Sequence, residues 1–237
     1  MKKGLLATLF VTAGVLTLSL GSTNAHAEDN TDLKIEITPD GGVTPGKDPL
    51  AGKLAIAYIP TNMDFGKNAN TGDGAGVVNV FKDTIQKSTF IAVSDDRPDA
   101  ERATKWDAVA KLSDFTVGGS TADADKLANA KLEFTTGAVQ ELKVNRDTDD
   151  NLTSVGVPTD PTNLTAYSGK DIANTASVQI DAGGSTKTVL SRTNASLIDK
   201  GAFATEIKDR QLRVALPQSQ AGKTFTAQLT WSLANVK

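Results

Sequence analysis

The chain of 237 residues has a formal net charge of −3, no cysteine and a single histidine. Without thiols there are no disulfide frameworks, thiol nucleophiles or cysteine-held metals, so stability must come from an ordinary hydrophobic core. The acidic balance argues against binding nucleic acid or anionic lipid by bulk electrostatics.

Residues 1–27 show the three parts of a secretory signal peptide: Lys2 and Lys3, an apolar stretch from Gly4 to Leu20, and an Ala25-His26-Ala27 cleavage site. The apolar run is interrupted by Gly14 and several threonines and falls short of the ~20 residues of a spanning helix. Cleavage after Ala27 is therefore expected, with no transmembrane segment left in the mature chain. Loss of these residues also removes His26, and with it Ser-His-Asp triads and His-ligated zinc.

Residues 28–52 are polar and rich in turn formers, as in Thr38-Pro39-Asp40-Gly41-Gly42 and Pro45-Gly46-Lys47-Asp48-Pro49. They read as a flexible leader with one short strand from Leu33 to Ile37. The folded domain is expected over 53–237. Short apolar-alternating segments follow at 54–59, 77–81, 89–93, 106–112, 131–135, 139–144, 177–181, 186–191, 212–216 and 223–233. Gly, Asp, Asn and Pro separate them, Thr and Val are abundant, and no long helical period occurs. The expected class is all-β, a single antiparallel β-sandwich or barrel-like domain with long loops. Ala182-Gly183-Gly184-Ser185 reads as a hairpin loop, and about 145–174 as a loop-rich insertion where function could reside.

Phe225, Ala227, Leu229, Trp231 and Leu233 share one face of the last strand, and Trp106, Ala108, Ala110 and Leu112 share a face of an earlier one. Asp95, Asp96, Asp99, Glu101, Asp107 and Asp114 fall close in sequence but in no acid/base motif, so solvated turns and strand edges account for them and no catalytic residue is assigned. Asp147-Thr148-Asp149-Asp150-Asn151 offers oxygen ligands at close spacing but lacks the glycine and distant glutamate of an EF-hand loop. No metal and no cofactor is expected.

The ending Phe225-Thr226-Ala227-Gln228-Leu229-Thr230-Trp231-Ser232-Leu233 resembles the distal motif of the WxL domains of Gram-positive cell-surface proteins. Upstream, Ala57 to Gly66 is similar to the family's entry strand with its Asp-Phe-Gly turn. Val93-Ser94-Asp95-Asp96-Arg97 resembles its V-x-D-x-R segment, and Trp106 to Phe115 its proximal motif strand, ending in Lys111-Leu112-Ser113-Asp114-Phe115. At the third position of the proximal W-x-L this chain has Ala108 instead of leucine. If that leucine contacts ligand, half of the site is weakened; if it fills the core, a neighbour compensates.

The resemblance implies an exported, non-enzymatic protein of the wall surface, partly secreted, that binds peptidoglycan non-covalently. The lack of an LPxTG-type sorting signal and of a lipidated cysteine agrees with non-covalent attachment. It further implies a surface complex with larger WxL proteins and a membrane-anchored companion. The alternative is a structural or adhesive subunit whose primary ligand is another surface protein. Motif carry-over nominates Trp106, Leu112, Asp114, Phe115, Leu229, Trp231 and Leu233 as binding residues. A tryptophan alternating in phase with Leu and Ala is normally a core anchor, whereas aromatic rings can also stack on sugars. The two motif strands are expected to pack close together, with Trp106 and Trp231 as neighbours.

Overall fold

The computed structural model describes residues 30–39, 50–60, 62–69, 78–85, 87–194, 200–216 and 218–234. The signal peptide expected over 1–27 lies outside the described residues. In chain order the strands are β1 (Asn30–Pro39), β2 (Leu54–Tyr58), β3 (Met63–Ala69), β4 (Asn79–Lys82), β5 (Thr89–Asp95), β6 (Trp106–Leu112), β7 (Lys131–Thr136), β8 (Gln140–Leu142), β9 (Val144–Arg146), β10 (Leu152–Val155), β11 (Leu164–Ala166), β12 (Ile172–Asn174), β13 (Ser177–Asp181), β14 (Lys187–Arg192), β15 (Gly201–Val214) and β16 (Thr224–Ala234). The one α-helical segment among the described residues, α1 (Asp99–Arg102), is a single turn, so the fold is all-β.

Two sheets carry the architecture. The first has the order β12-β14-β6-β16-β1-β3; the second runs β11-β8-β15-β5-β2, with β7, β13 and β4 joined through β15. Ladders are antiparallel except that β1 runs parallel to β16. The main core lies between the sheets: Leu33, Phe65, Trp106, Leu112, Phe225 and Trp231 from the first meet Ile91, Val93, Leu132, Phe134, Ile207 and Leu212 from the second. This is the sandwich-like arrangement that period-two alternation demands, since each strand has one apolar face to cover.

The second sheet is covered on its other face too. Phe90, Ala92, Ala202 and Ala204 form a smaller cluster with Leu142 and Leu152, and β5 is buried at every position as a result. Leu152, Val144 and Val155 come from the β9–β10 pair, so the stretch expected as a loop-rich insertion folds into short strands that cap this face.

Three further features differ from the sequence reading. Within the stretch read as a polar leader, β1 is a core strand: Leu33 and Ile35 are fully buried between β16 and β3, in register with Phe225 and Ala227. The Gly183–Gly184 turn makes no hairpin, because β13 pairs with β7 and β14 with β6; the turn carries the chain from the second sheet to the first. Gly183 holds φ of 68°, a left-handed conformation that suits glycine at such a change of direction. Finally β15 begins at Gly201, not near Leu212, and runs for 14 residues as the spine of the second sheet. Its bulge around Lys208 to Gln211 turns Arg210 inward onto Asp83 (Nε to Oδ2, 2.7 Å) and Thr89 (Nη1 to Oγ1, 2.7 Å).

Because β1 is an internal strand, Ile35→Ala should lower the unfolding free energy by about 2–5 kcal/mol. Exposed Glu36→Ala on the same strand should change it by less than about 0.5 kcal/mol. Urea titrations of both variants check this; equal effects would mean that β1 is not part of the cooperative core.

Candidate functional site

The motif strands are adjacent. β6 and β16 pair with Leu229 opposite Leu112, Trp231 opposite Ala110 and Leu233 opposite Ala108. Trp106 and Trp231 therefore project from the same sheet face into one core, separated along the strand by four positions, or roughly 13 Å at ~3.3 Å per residue. Both are 0% exposed, as are Leu112, Phe115 and Leu229. Leu233 is half-buried at the edge of the core, and Asp114 is exposed, 3.8 Å from the Lys126 ammonium. Of the seven nominated residues, six are thus brought together as packing groups and only Asp114 presents its side chain fully to solvent. Ala108 is also fully buried, flanked in register by Leu190 and Leu233. Apolar volume on both sides encloses the position where the family has leucine.

The two tryptophans differ in one respect. The Trp106 indole N–H donates to Asp95 Oδ2 at 3.2 Å, whereas Trp231 Nε1 has no hydrogen-bond partner among the described residues. Asp95, at the end of β5, is 0% exposed and gathers more than the indole. Arg97 grips it with two hydrogen bonds of 2.8 Å, from Nε and Nη2, and Arg192 Nη1 on β14 lies 3.6 Å from Oδ2. Arg102 of α1 donates to the Arg97 carbonyl (2.9 Å) and to Asp99 (2.6 Å), and Arg192 donates to the Arg102 carbonyl. Burial holds the Arg192 guanidinium below its ordinary pKa; Asp95 pulls the other way, while Arg97 and Arg102 add repulsion. The segment that resembles V-x-D-x-R is therefore a buried ionic knot, and the motif tryptophan is one of its ligands.

These aspartates correct the expectation of solvated turns. Asp96 is only 2% exposed. It accepts from the Gly52 N–H (2.7 Å) and Arg146 Nη1 (2.7 Å), with Lys200 Nζ at 4.0 Å. Burial pushes its carboxyl up, but those hydrogen bonds and the Arg146 and Lys200 charges outweigh burial and leave it below the ordinary aspartate value. Asp147, by contrast, is capped within its own loop, accepting from the Asp149 and Asn151 N–H groups. Sequence reasoning missed Arg102, Arg146 and Arg192 altogether. Their only signal is a basic residue in an otherwise apolar or turn-rich context.

Clefts on the described surface include two of note. One of about 330 Å³ surrounds Arg210, whose guanidinium is consumed by Asp83 and Thr89. The other, of about 490 Å³, lies beside the Asp96 group, with Tyr167, Phe203 and Lys200 in its lining.

Trp106→Phe removes a hydrogen bond to a buried carboxylate, while Trp231→Phe removes an N–H with no partner. Urea unfolding should show the first costing about 1–2 kcal/mol more than the second; equal costs would mean that the Asp95 contact contributes nothing. The lowered Asp96 pKa adds stability that is complete well above the unfolded-state value of ~3.9 and is lost as pH falls through the folded value. The melting-temperature gap between the native protein and Asp96→Asn should accordingly be widest near neutrality and close as the pH drops below about 4. A gap constant across that range would contradict the assignment.

The family model for the WxL domain, described as surface cell wall-binding, matches residues 24–236. A comparison with curated proteins gives no match. With its paired motif strands and a match spanning nearly its whole length, this chain belongs to the WxL domain family of surface, cell wall-binding proteins.

Proposed function

We propose that the protein is exported, loses residues 1–27, and is held non-covalently on the cell wall by binding peptidoglycan, without turning it over. The observation that carries this reading is the match of the wall-binding family over 24–236, a span that includes the signal-like segment's end and every described strand. A mature chain lacking both cysteine and histidine supports binding rather than catalysis. Among the described residues no helix is long and apolar enough to cross a membrane, which is compatible with attachment through the domain itself. At the surface the protein would join larger members of the family and a membrane-anchored companion in one complex.

The burial of the motif residues gives the reading its physical form. Fully buried indoles cannot stack on a glycan without unfolding the core, so ligand contact falls to the domain's outer surface. Protein recovered from wall fractions should start at Glu28, and the purified mature chain should sediment with bare peptidoglycan while releasing no soluble fragments. Sedimentation only when other surface proteins are added would favour the subunit reading instead.

A further inference from the structure

Residues 167–171 carry the chain from β11, at the edge of the second sheet, to β12, at the edge of the first. This crossover walls the cleft of about 490 Å³ against β8 and the start of β15. That volume falls within the roughly 300–1,000 Å³ of small-molecule sites. Tyr167 meets buried Phe203 edge-on, with ring centroids 5.3 Å apart and planes at 74°. Gly169 approaches so closely that a Cβ there would fall 2.2 Å from the phenolic oxygen and 2.3 Å from the ring carbon bearing it. Packing on two sides thus fixes a half-exposed aromatic ring in one orientation. Hydrogen bonds from the Tyr167 N–H to the Val139 carbonyl (3.3 Å) and from the Thr193 N–H to the Asp171 carbonyl (2.8 Å) pin both ends of the crossover.

Charge selects the ligand. Glu141 stands opposite Phe203 in the β8–β15 ladder, and its exposed carboxylate has no hydrogen-bond or ion-pair partner among the described residues. Asp171 is the second carboxylate of the lining. The lining's one basic residue, Lys200, is already engaged, with Nζ 3.4 Å from Asp150 and 4.0 Å from Asp96. A polyanion entering here would face the unpartnered Glu141 carboxylate, a second carboxylate at Asp171 that already interacts with Arg192, and a neutralised ammonium. A neutral sugar donates its hydroxyl and amide protons to carboxylate acceptors and lays its C–H face on an aromatic ring.

We propose that this cleft binds a neutral pyranose chain, the sugar backbone of the wall and not its anionic polymers. The proposal rests on the wall-binding reading and gives it a location. Calorimetric titration of the mature chain with a short N-acetylglucosamine oligomer and, separately, with poly(glycerol phosphate) tests it. The sugar should bind and the polyanion should not. Tyr167→Ala and Gly169→Ala, the latter because its methyl displaces the ring, should each weaken sugar binding about tenfold or more. Exposed Glu141→Gln, which leaves the fold undisturbed, should weaken it about fivefold. Lys208→Ala, outside the cleft, should leave it unchanged. No uptake of the sugar oligomer, unchanged affinity in Glu141→Gln together with the Tyr167 and Gly169 variants, or preference for the polyanion overturns the proposal. Sedimentation with peptidoglycan is scored separately: native protein that binds the sugar oligomer yet fails to sediment contradicts wall attachment and leaves the cleft standing.

Discussion

The carboxylate of Asp95 is the constraint to which much of the fold answers. A fully buried charge is tolerable only with close, well-directed partners, because stripping it of water costs several kcal/mol per ion. Those partners come from both sheets: Arg97 follows β5 in the second, while Trp106 opens β6 and Arg192 ends β14 in the first. Arg97 lies only two residues on, but the indole and Arg192 reach the carboxylate only when the two sheets are closed over it. The same geometry fixes the start of β6, and so the register that places Ala110 against Trp231 and Leu112 against Leu229. Arg97 and Arg192 at the buried carboxylate, with Arg102 behind them, leave excess positive charge that Asp171 partly offsets. Backbone carbonyls of Arg97 and Arg102, with exposed Asp99, absorb part of it.

A second constraint is that the sheet built on β15 is buried on both faces. Its positions alternate between the main core, at Phe203 and Ile207, and the smaller cluster, at Ala202 and Ala204. Alanine on the outer face lets the β9–β10 pair approach closely and cover it with Leu152. The short strands beyond residue 145 are thus part of the domain's closure, and the cleft beside them is formed where this cover returns to the first sheet.

Strands that alternate against water on one side were legible in the sequence. Trp106–Leu112, Ser177–Asp181 and Thr224–Ala234 fall within a residue of their expected bounds, because one apolar and one polar face leave a period of two. The spine β15 was not, because a strand covered on both faces and interrupted by an inward Arg210 has no such period. Nor was the partnership of β1 with β16, which joins residues near opposite ends of the chain through a parallel ladder that leaves no local signal. The candidate site was legible in a narrower sense. Residues 106–115 and 229–233 mark the family and its paired strands, while Arg146 and Arg192 acquire meaning only once tertiary structure brings them to Asp96 and Asp95, and Arg102 only through the Arg97 carbonyl and Arg192.

The residues that mark the family and the cleft proposed for the ligand therefore lie in different parts of this molecule. The residues that define the motif are spent on internal contacts, where a change in any one disturbs the packing of several others. The residues that line the Tyr167 cleft come from β8, the crossover and the start of β15, and there exposed Glu141 can be exchanged at little cost to the core. On the proposed reading the scaffold can be kept while the exposed cleft side chains change, because the Asp95 contacts that close the sandwich are made by Arg97, Trp106 and Arg192, none of which lines the cleft.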